Sequence, residues 1–286
     1  MIKAKKSLGQ NFLKSEIALK KIIEAGEIKS DLPAQTGDII LEIGPGKGAL
    51  TEKLLLALRS LGEAREKSGL VIAIEKDREL FDLLKSKFKE EILSGKLKLI
   101  NDDILTYKVP AIRYKLIANI PYNITGAILK KFLTEENKPE RMILLVQNEV
   151  AKRIVASDHK ESILSISVKA YGEPKMIMKV GARYFSPAPK VDSAIISIKN
   201  ISREKFRYLP NLPLTKGEVS KTEGVNEDKF WEIVKAGFAH KRKKLSSNLK
   251  SSKYFKDLEK NPLFKELGNK RAEDLTLFDW ITLAKE

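Results

Sequence analysis

Short runs of consecutive apolar residues recur along the first part of the chain and alternate with segments of helical periodicity. The runs are rich in Ile, Leu and Val, which is typical of strands buried on both faces of a parallel sheet. Alternating strands and helices predict an α/β fold. The predicted strands cover residues 38–43, 70–74, 97–100, 115–118 and 141–146, and helical patterns cover residues 17–25, 49–60, 148–156 and a segment from Ile124 onward.

The pattern changes after residue 160. Residues 162–170 fit no single alternating face, so a strand and a buried helix both stay open. Residues 175–180 and 191–199 predict a closing β-hairpin, whose basic, aromatic connection at residues 184–190 is kept extended by prolines. We interpret Phe185 in this connection as an exposed ring suited to stacking on a base. A purely structural hairpin loop is the alternative.

The composition changes again near residue 202. Residues 209–224 contain two prolines and two glycines, which predicts a loop. We therefore expect a first domain over residues 1–201 and a small all-helical domain over residues 202–286. The helical patterns of this second domain cover residues 227–238, 241–249, 256–267 and 275–284.

The charge of the chain points to a polyanionic partner. The formal net charge is +16, from 54 Lys and Arg against 38 Asp and Glu, and such an excess predicts salt-sensitive binding to a nucleic acid. The densest cationic block is Lys241-Arg242-Lys243-Lys244. We favour phosphate binding by this block, and by Lys190, over a solvated helix face. A lysine excess that serves solubility alone is the alternative.

The chain has no cysteine, and its two histidines, His159 and His240, stand in separate polar surroundings. This excludes disulfides, zinc–thiolate sites and the thiol nucleophile that methylation of a base ring carbon needs. We expect no metal site and no Ser/His/Asp triad. Without a signal peptide or an apolar run that could span a bilayer, we expect a cytoplasmic monomer that makes no membrane contact.

A glycine-rich turn follows the first predicted strand, with the sequence Glu42-Ile43-Gly44-Pro45-Gly46-Lys47-Gly48. Glycines between a strand and a helix let backbone N–H groups approach a ligand closely. The spacing differs from the dinucleotide pattern, and no Lys-Ser/Thr pair follows as in a phosphate loop. With the acidic Glu42 just ahead of it, the turn predicts a site for a nucleoside-type cofactor.

Two carboxylates follow the next two strands. Glu75 is placed to accept both ribose hydroxyls of an adenosyl group, although it could simply begin the next, charged helix. Asp103 could accept a hydrogen bond from a cofactor adenine amine, and a turn or helix cap is an equal alternative at this position.

The stretch Asn119-Ile120-Pro121-Tyr122-Asn123 ends the fourth predicted strand, where open α/β sheets bind ligands. The Asn119 side-chain oxygen can accept one N–H of a base amine, and a carbonyl near Pro121 can accept the other. The Tyr122 ring can stack on the base. Because an adenine amine has its lone pair delocalised into the ring, two acceptors outside the ring plane would free that pair for attack. An ordinary strand-to-loop turn is the alternative.

As a set, these motifs resemble the rRNA adenine N6-dimethyltransferases over roughly residues 5–250. Residues 186–194 and the basic block are similar to the KsgA-type branch, which acts on the small ribosomal subunit. The erythromycin-resistance branch acts on large-subunit RNA instead. The motifs that carry the resemblance are Gly9-Gln10-Asn11-Phe12-Leu13, Glu42-x-Gly44-x-Gly46-x-Gly48, Glu75, Asp103, Asn119-Ile120-Pro121-Tyr122 and Phe185-x-Pro187-x-Pro189-Lys190-Val191.

The resemblance implies a class I, Rossmann-like methyltransferase fold with a seven-stranded, mostly parallel sheet. Residues 1–201 would form this catalytic domain, and residues 202–286 would form a helical, RNA-binding C-terminal domain. The resemblance favours a helix over residues 162–170. It implies dimethylation of N6 of two adjacent adenosines near the 3′ end of small-subunit rRNA, in an immature small ribosomal subunit. Tyr122 and Phe185 would hold the target adenine between them. The cofactor would be S-adenosylmethionine, bound by Asn11, Leu13, Gly44, Gly46, Glu75, Asp103 and Asn119.

The chain departs from the family pattern at Ile120, at Ser162-Ile163 and over the 209–224 loop. Two other classes of function are compatible with some features of the sequence. A nicotinamide-dependent oxidoreductase is disfavoured by the glycine spacing and by the lack of an evident acid–base pair. A non-enzymatic assembly factor that binds pre-ribosomal RNA would have the same basic character, so only turnover separates it from an enzyme.

Overall fold

The computed structural model describes residues 3–28, 38–59, 69–207 and 224–285. The predicted 209–224 loop lies outside these ranges except for Gly224. The chain divides into a first unit, Met1–Ala151 with Glu173–Ile201, and a second unit, Lys152–Gly172 with Ser202–Glu286. The second unit therefore begins after residue 201, as expected, but it also includes residues 152–172, which group with the C-terminal helices.

The first unit is built on a mostly parallel sheet, as the sequence predicts. Its strands in chain order are β1 (Phe12–Leu13), β2 (Ile39–Ile43), β3 (Leu70–Glu75), β4 (Leu97–Asn101), β5 (Lys115–Asn119), β6 (Met142–Gln147), β7 (Glu173–Val180), β8 (Phe185–Ser186) and β9 (Ser193–Lys199). Seven of them form one sheet in the order β4-β3-β2-β5-β6-β9-β7. Strands β2 to β6 are parallel, and β9 is antiparallel to both of its neighbours.

Helices pack on the sheet through apolar side chains. The central strands are buried along their length, with Leu116, Ile117 and Ala118 of β5 fully inaccessible. Burial of a side chain as large as Leu116 or Ile117 contributes roughly 1.5–3 kcal/mol. Ser15 caps the first helix by accepting a hydrogen bond from the Ala18 N–H at 3.2 Å. The helices are α1 (Glu16–Gly26), α2 (Ala49–Arg59), α3 (Arg78–Lys87), α4 (Lys89–Leu93), α5 (Thr125–Thr134) and α6 (Asn148–Val155).

The direction of winding reverses between β2 and β5. From β2 the chain proceeds outward to β3 and β4, and it then crosses back to β5 and β6 on the other side. In open α/β sheets the crevice at the carboxyl end of such a reversal binds ligands. The glycine turn follows β2 and Asn119 ends β5, so the sheet brings the two predicted motifs together.

The second unit is helical, and residues 162–170 form a helix in it. Ser162 and Ser165 cap that helix reciprocally, each side chain bonding the other's backbone N–H. The expected single helix over residues 256–267 is wrong, because Asn261 caps a new helix that begins at Pro262. The helices are α7 (Ile163–Lys169), α8 (Glu204–Arg207), α9 (Glu227–Gly237), α10 (Leu245–Leu249), α11 (Phe255–Leu258), α12 (Pro262–Leu267) and α13 (Leu277–Ala284).

The cationic block 241–244 is not helical, which corrects the predicted helix over 241–249. Helix α9 ends at Gly237, and the Asn248 side chain donates to the Gly237 and His240 carbonyls at 2.5 and 3.0 Å. Those bonds satisfy carbonyls at and just after the helix end, and α10 starts only at Leu245. The four cationic side chains are exposed on the connecting turn. A solvated turn, rather than a helix face, is thus the alternative to phosphate binding.

Candidate active site

A cavity of about 590 Å³ opens in the first unit at the carboxyl ends of β2 to β5. Its volume is typical of sites for small molecules and cofactors. Every residue predicted to bind the cofactor lines it, as does Tyr122. The other predicted site residues do not line it: Lys190, Phe185 and the basic block 241–244.

The glycine turn forms one wall of this cavity. Gly44, Gly46 and Gly48 have φ values of 62°, 60° and 79°, in the left-handed region that favours glycine. A Cβ built on Gly44 would meet no atom within 4 Å, whereas one on Gly46 would lie 2.9 Å from the Phe12 ring. The turn therefore presents bare backbone to open space at Gly44, where a ligand can approach closely.

Glu75 stands at the end of β3 with its carboxylate held by backbone donors. Oε2 accepts a hydrogen bond from the Gly46 N–H at 3.0 Å, and Oε1 accepts one from the Asp77 N–H at 2.9 Å. Burial raises the pKa of the Glu75 carboxyl. Each oxygen retains acceptor capacity, so the carboxylate can also take hydroxyl groups of a ligand. The helix that follows begins at Arg78 with Asp77 as its cap, so Glu75 is not part of it.

Glu42, the acid ahead of the glycine turn, is the most unusual group of the cavity. Its side chain is 1% exposed, and neither carboxylate oxygen has a hydrogen-bond partner among the described residues. Burial raises the pKa of Glu42 to about 8, and the charge of Glu75 adds to the rise. A buried carboxyl without a partner is costly. Because Glu42 lines the cavity, these oxygens suit a polar or cationic ligand group.

Asp103 stabilises a turn, which is one of the two roles that the sequence left open for it. Its Oδ1 accepts from the Leu105 N–H at 2.9 Å, and its Oδ2 accepts from the Lys76 ammonium at 2.8 Å. The hydrogen bond from Lys76 lowers the pKa of Asp103 below its ordinary value. Asp103 also lines the cavity, so its contact with a cofactor adenine stays a prediction.

Asn119 has an amide orientation fixed by the N-terminal segment. Its Nδ2 donates to the Asn11 carbonyl at 3.0 Å, and the Asn11 Nδ2 donates in turn to the Gly9 carbonyl at 3.1 Å. The described residues place no donor on the Asn119 Oδ1. The amide is therefore held by its nitrogen, and its oxygen is the atom left to accept a hydrogen bond from a ligand.

Tyr122 begins the short 3₁₀ turn Tyr122–Ile124 after Pro121. Its hydroxyl lies 2.6 Å from the Ser193 Oγ, at the fully buried start of β9. Burial raises the pKa of the phenol, so it stays protonated. The sequence motif pointed to the Tyr122 ring alone, and the contact with Ser193 was not predicted. Ser193 lies in the stretch 186–194 that resembles the family, and this was the one sequence signal that could have pointed to it.

Phe185 is not the exposed ring that the sequence predicted. Strand β8 pairs with β1, with Phe185 opposite Leu13 and Ser186 opposite Phe12. Successive side chains of a strand alternate between its faces, so Phe185 turns into the apolar core at 2% exposure while Ser186 lines the cavity. The ribbon of β1 and β8 thereby holds Leu13 and Phe12 against the cavity.

Asp77, to which sequence analysis gave no role, anchors the N-terminal segment. Its Oδ1 accepts from the Lys5 ammonium and its Oδ2 from the Gln10 amide, both at 2.8 Å. The segment that carries Asn11, Phe12 and Leu13 is thus tied to the start of α3. Among the described residues no cluster of His, Cys, Asp or Glu could hold a metal ion, and no helix is long and apolar enough to cross a membrane.

The chain is similar along its whole length to known proteins. Ribosomal RNA small subunit methyltransferase A of Dehalococcoides mccartyi (strain CBDB1) is 37% identical, covering 100% of this chain and 89% of the relative. The protein of the same name from Fusobacterium nucleatum is 36% identical, covering 99% and 97%. A solved dimethyladenosine transferase from Plasmodium falciparum has a TM-score of 0.73 at 26% identity, covering 95% of both chains.

The structure of the 23S rRNA methyltransferase ErmE has a TM-score of 0.68 at 23% identity, covering 96% of this chain and 98% of ErmE, and shows a shared fold. The family model described as Ribosomal RNA adenine dimethylase matches residues 1–212. That match, the full-length relatives and the Rossmann-like sheet confirm the resemblance deduced from the motifs. The chain belongs to the ribosomal RNA adenine dimethylase family.

Proposed function

We propose that this S-adenosylmethionine-dependent rRNA adenine dimethyltransferase acts on N6 of two adjacent adenosines near the 3′ end of small-subunit rRNA. We further propose that its substrate is an immature small ribosomal subunit and that it works in the cytoplasm as a monomer. The names of the full-length relatives favour the small subunit over the large one. A cavity built within one unit of one chain favours the monomer.

One observation carries the assignment of the active site. The Asn119 amide nitrogen is occupied by the Asn11 carbonyl, at the edge of a cavity that the motif residues line. The side-chain oxygen is therefore presented to the cavity as a fixed acceptor.

The cavity fits the family's cofactor on two counts. The unpartnered Glu42 carboxyl can bond a polar group of the ligand, and the open space at Gly44 admits close contact with the backbone. We propose that Glu75 accepts ribose hydroxyls, that Asp103 accepts an adenine amine, and that Asn11, Leu13 and Gly46 complete the walls. When bound, S-adenosylmethionine supplies a methyl group on a positively charged sulfur, so the transfer needs no Lewis acid.

The residues at the end of β5 prepare the target amine. Asn119 Oδ1 accepts one amine hydrogen and a backbone carbonyl near Pro121 accepts the other, which draws the nitrogen toward a tetrahedral shape and frees its lone pair. Tyr122 stacks on the adenine, and its bond to Ser193 fixes the ring. The methylated amine is cationic and releases its proton readily. Positioning of the target amine is then the main contribution of the protein to catalysis. Phe185 supports this arrangement from the core rather than by stacking.

The choice of substrate is tested by supplying labelled cofactor to immature small subunits and, in a parallel reaction, to large subunits. We expect label in the RNA of the small subunits alone. Label confined to the large-subunit RNA would overturn the proposed target and leave the family's chemistry intact.

We expect dimethyladenosine as the end product. No carboxylate is proposed to hold the second amine hydrogen rigidly, so monomethyladenosine can rebind with its methyl group turned away. The measurement is a time course with excess enzyme, in which monomethyladenosine should rise and then disappear. Monomethyladenosine that persists at long times would contradict this prediction.

We expect the basic block and Lys190 to bind phosphates. Changing Lys241, Arg242, Lys243 and Lys244 to Ala should weaken RNA binding and flatten its log–log salt dependence by about 0.7–0.9 for each phosphate that the protein no longer neutralises. Affinity for the cofactor should not change, because that cavity lies in the first unit.

The matched control changes four other exposed lysines of the second unit, Lys250, Lys256, Lys260 and Lys265, to Ala. It removes the same charge from elsewhere in the unit. Equal salt slopes for the two quadruple variants would mean that the block is an ordinary solvated turn.

A further inference from the structure

The turn between β7 and β8 displays an aromatic side chain that neither the fold nor the proposed chemistry uses. Tyr184 is 38% exposed, and the Arg183 guanidinium lies over its ring, 5.0 Å from the centroid. Arg183 also donates to the Tyr184 hydroxyl at 3.3 Å. The pair is thus a preassembled stack of a cation and a ring on the surface.

The backbone of this turn is fixed. Residues Ala182–Tyr184 form a 3₁₀ turn, and the Ala182 N–H donates to the Asp192 carboxylate at 2.9 Å. Asp192 is neutralised in turn by Lys179 at 2.8 Å. The hydrogen bond from Ala182 and the ion pair hold the turn against the β7–β9 hairpin, so the backbone that carries the stack is held in place.

The same turn adjoins the rim of the cavity. The Tyr184 carbonyl accepts a hydrogen bond from the Lys14 N–H at 2.8 Å, and Lys14 lines the cavity. Two residues further along, Ser186 lines it as well. Tyr184 is therefore next to two residues of the cavity wall.

The surroundings of Tyr184 suit RNA. Arg183, Lys14 and Lys190 supply exposed cations on this edge, and the carboxylate of Asp192 is already paired. Single-stranded nucleic acids bind to such sites through phosphate contacts and through stacking of bases on aromatic rings or guanidinium planes.

We infer that the Arg183–Tyr184 pair is a second base-binding site, which stacks a nucleotide next to the adenosine that enters the cavity. The inference rests on the proposed function, because it requires a single-stranded RNA target. Stacking at this site would hold the RNA strand open beside the target. It would also set which of two neighbouring adenosines faces Asn119.

The test compares variants in steady-state methylation of immature small subunits. Base–aromatic stacking corresponds to roughly a five- to hundredfold change in affinity, so Tyr184→Ala should raise KM by about that factor and change kcat much less. Tyr184→Phe should restore the wild-type KM, because the ring and the cation over it remain. Phe278→Ala removes an exposed ring from α13 in the second unit and should leave KM unchanged.

A photo-crosslinker at position 184 identifies the nucleotide that stacks there. With a benzophenone-bearing phenylalanine in place of Tyr184, the crosslink should map to a nucleotide adjacent to the methylated adenosines. A wild-type KM for Tyr184→Ala, no rescue by Tyr184→Phe, or a crosslink to a distant nucleotide would each overturn the second site. Failure of the wild-type enzyme to methylate the small subunit would instead overturn the proposed function.

Discussion

Asn119→Ala should slow methyl transfer by about a hundred- to a thousandfold, far more than it weakens the binding of RNA. The loss of one well-placed hydrogen-bonding group in a dry site costs on the order of 3–4 kcal/mol of transition-state stabilisation. Asn119 fits that description because its amide nitrogen is held by Asn11, which leaves the oxygen for the amine. The measurement is single-turnover methylation, with both binding constants determined in parallel.

The chain offers a matched control in Asn101. It also ends a strand of the sheet and also donates its amide to a carbonyl, that of Glu75 at 2.8 Å, but it does not line the cavity. Asn101→Ala removes the same kind of bond and should keep most of the transfer rate. If Asn119→Ala were no slower than Asn101→Ala, the end of β5 would be a turn and the active site would lie elsewhere.

Glu42→Gln should remove a large pH dependence from the stability of the protein. The pKa of Glu42 is about 8 in the folded protein, against an ordinary value of 4.5. Between these values the folded state holds a proton that the unfolded state has lost. The free energy of unfolding therefore falls as pH rises, by up to about 1.4 kcal/mol per pH unit, and the change ends above about pH 8.

The variant has no such proton, so it should match the wild type near pH 5 and exceed its stability near pH 8 by several kcal/mol, on the order of 4 kcal/mol. The measurement is denaturant unfolding without cofactor at each pH. Glu149→Gln, which changes an exposed carboxyl on α6, should follow the wild type throughout. A pH-independent difference between wild type and Glu42→Gln would show that the buried carboxyl is charged at neutral pH.

The sequence was most informative where local patterns decide the structure. Apolar runs located the strands because a parallel sheet covered by helices has no polar face. The motif residues fell around one cavity because the carboxyl ends of parallel strands meet at one edge of the sheet. The helix over residues 162–170 was left open by its pattern, since both of its faces carry buried side chains, Ser165, Ile166 and Val168.

The sequence was least informative where long-range pairing decides the structure. Phe185 stands among prolines and polar residues, and only the pairing of β8 with β1 turns its ring inward. The Tyr122–Ser193 bond joins positions 71 residues apart. The basic block has helical composition, but it forms a turn that is bridged by bonds from Asn248 to carbonyls at the end of α9. None of these interactions leaves a trace in local periodicity.

The central claim is that this chain places two methyl groups on N6 of an adenosine in small-subunit rRNA. In the most direct measurement, the protein is incubated with immature small subunits and S-adenosylmethionine that carries a trideuteriomethyl group. The RNA is then digested, and its nucleosides are identified by mass spectrometry. We predict adenosine that bears two trideuteriomethyl groups on its base. Label that appears on ribose or on another base, or adenosine that stays unlabelled, would contradict the claim.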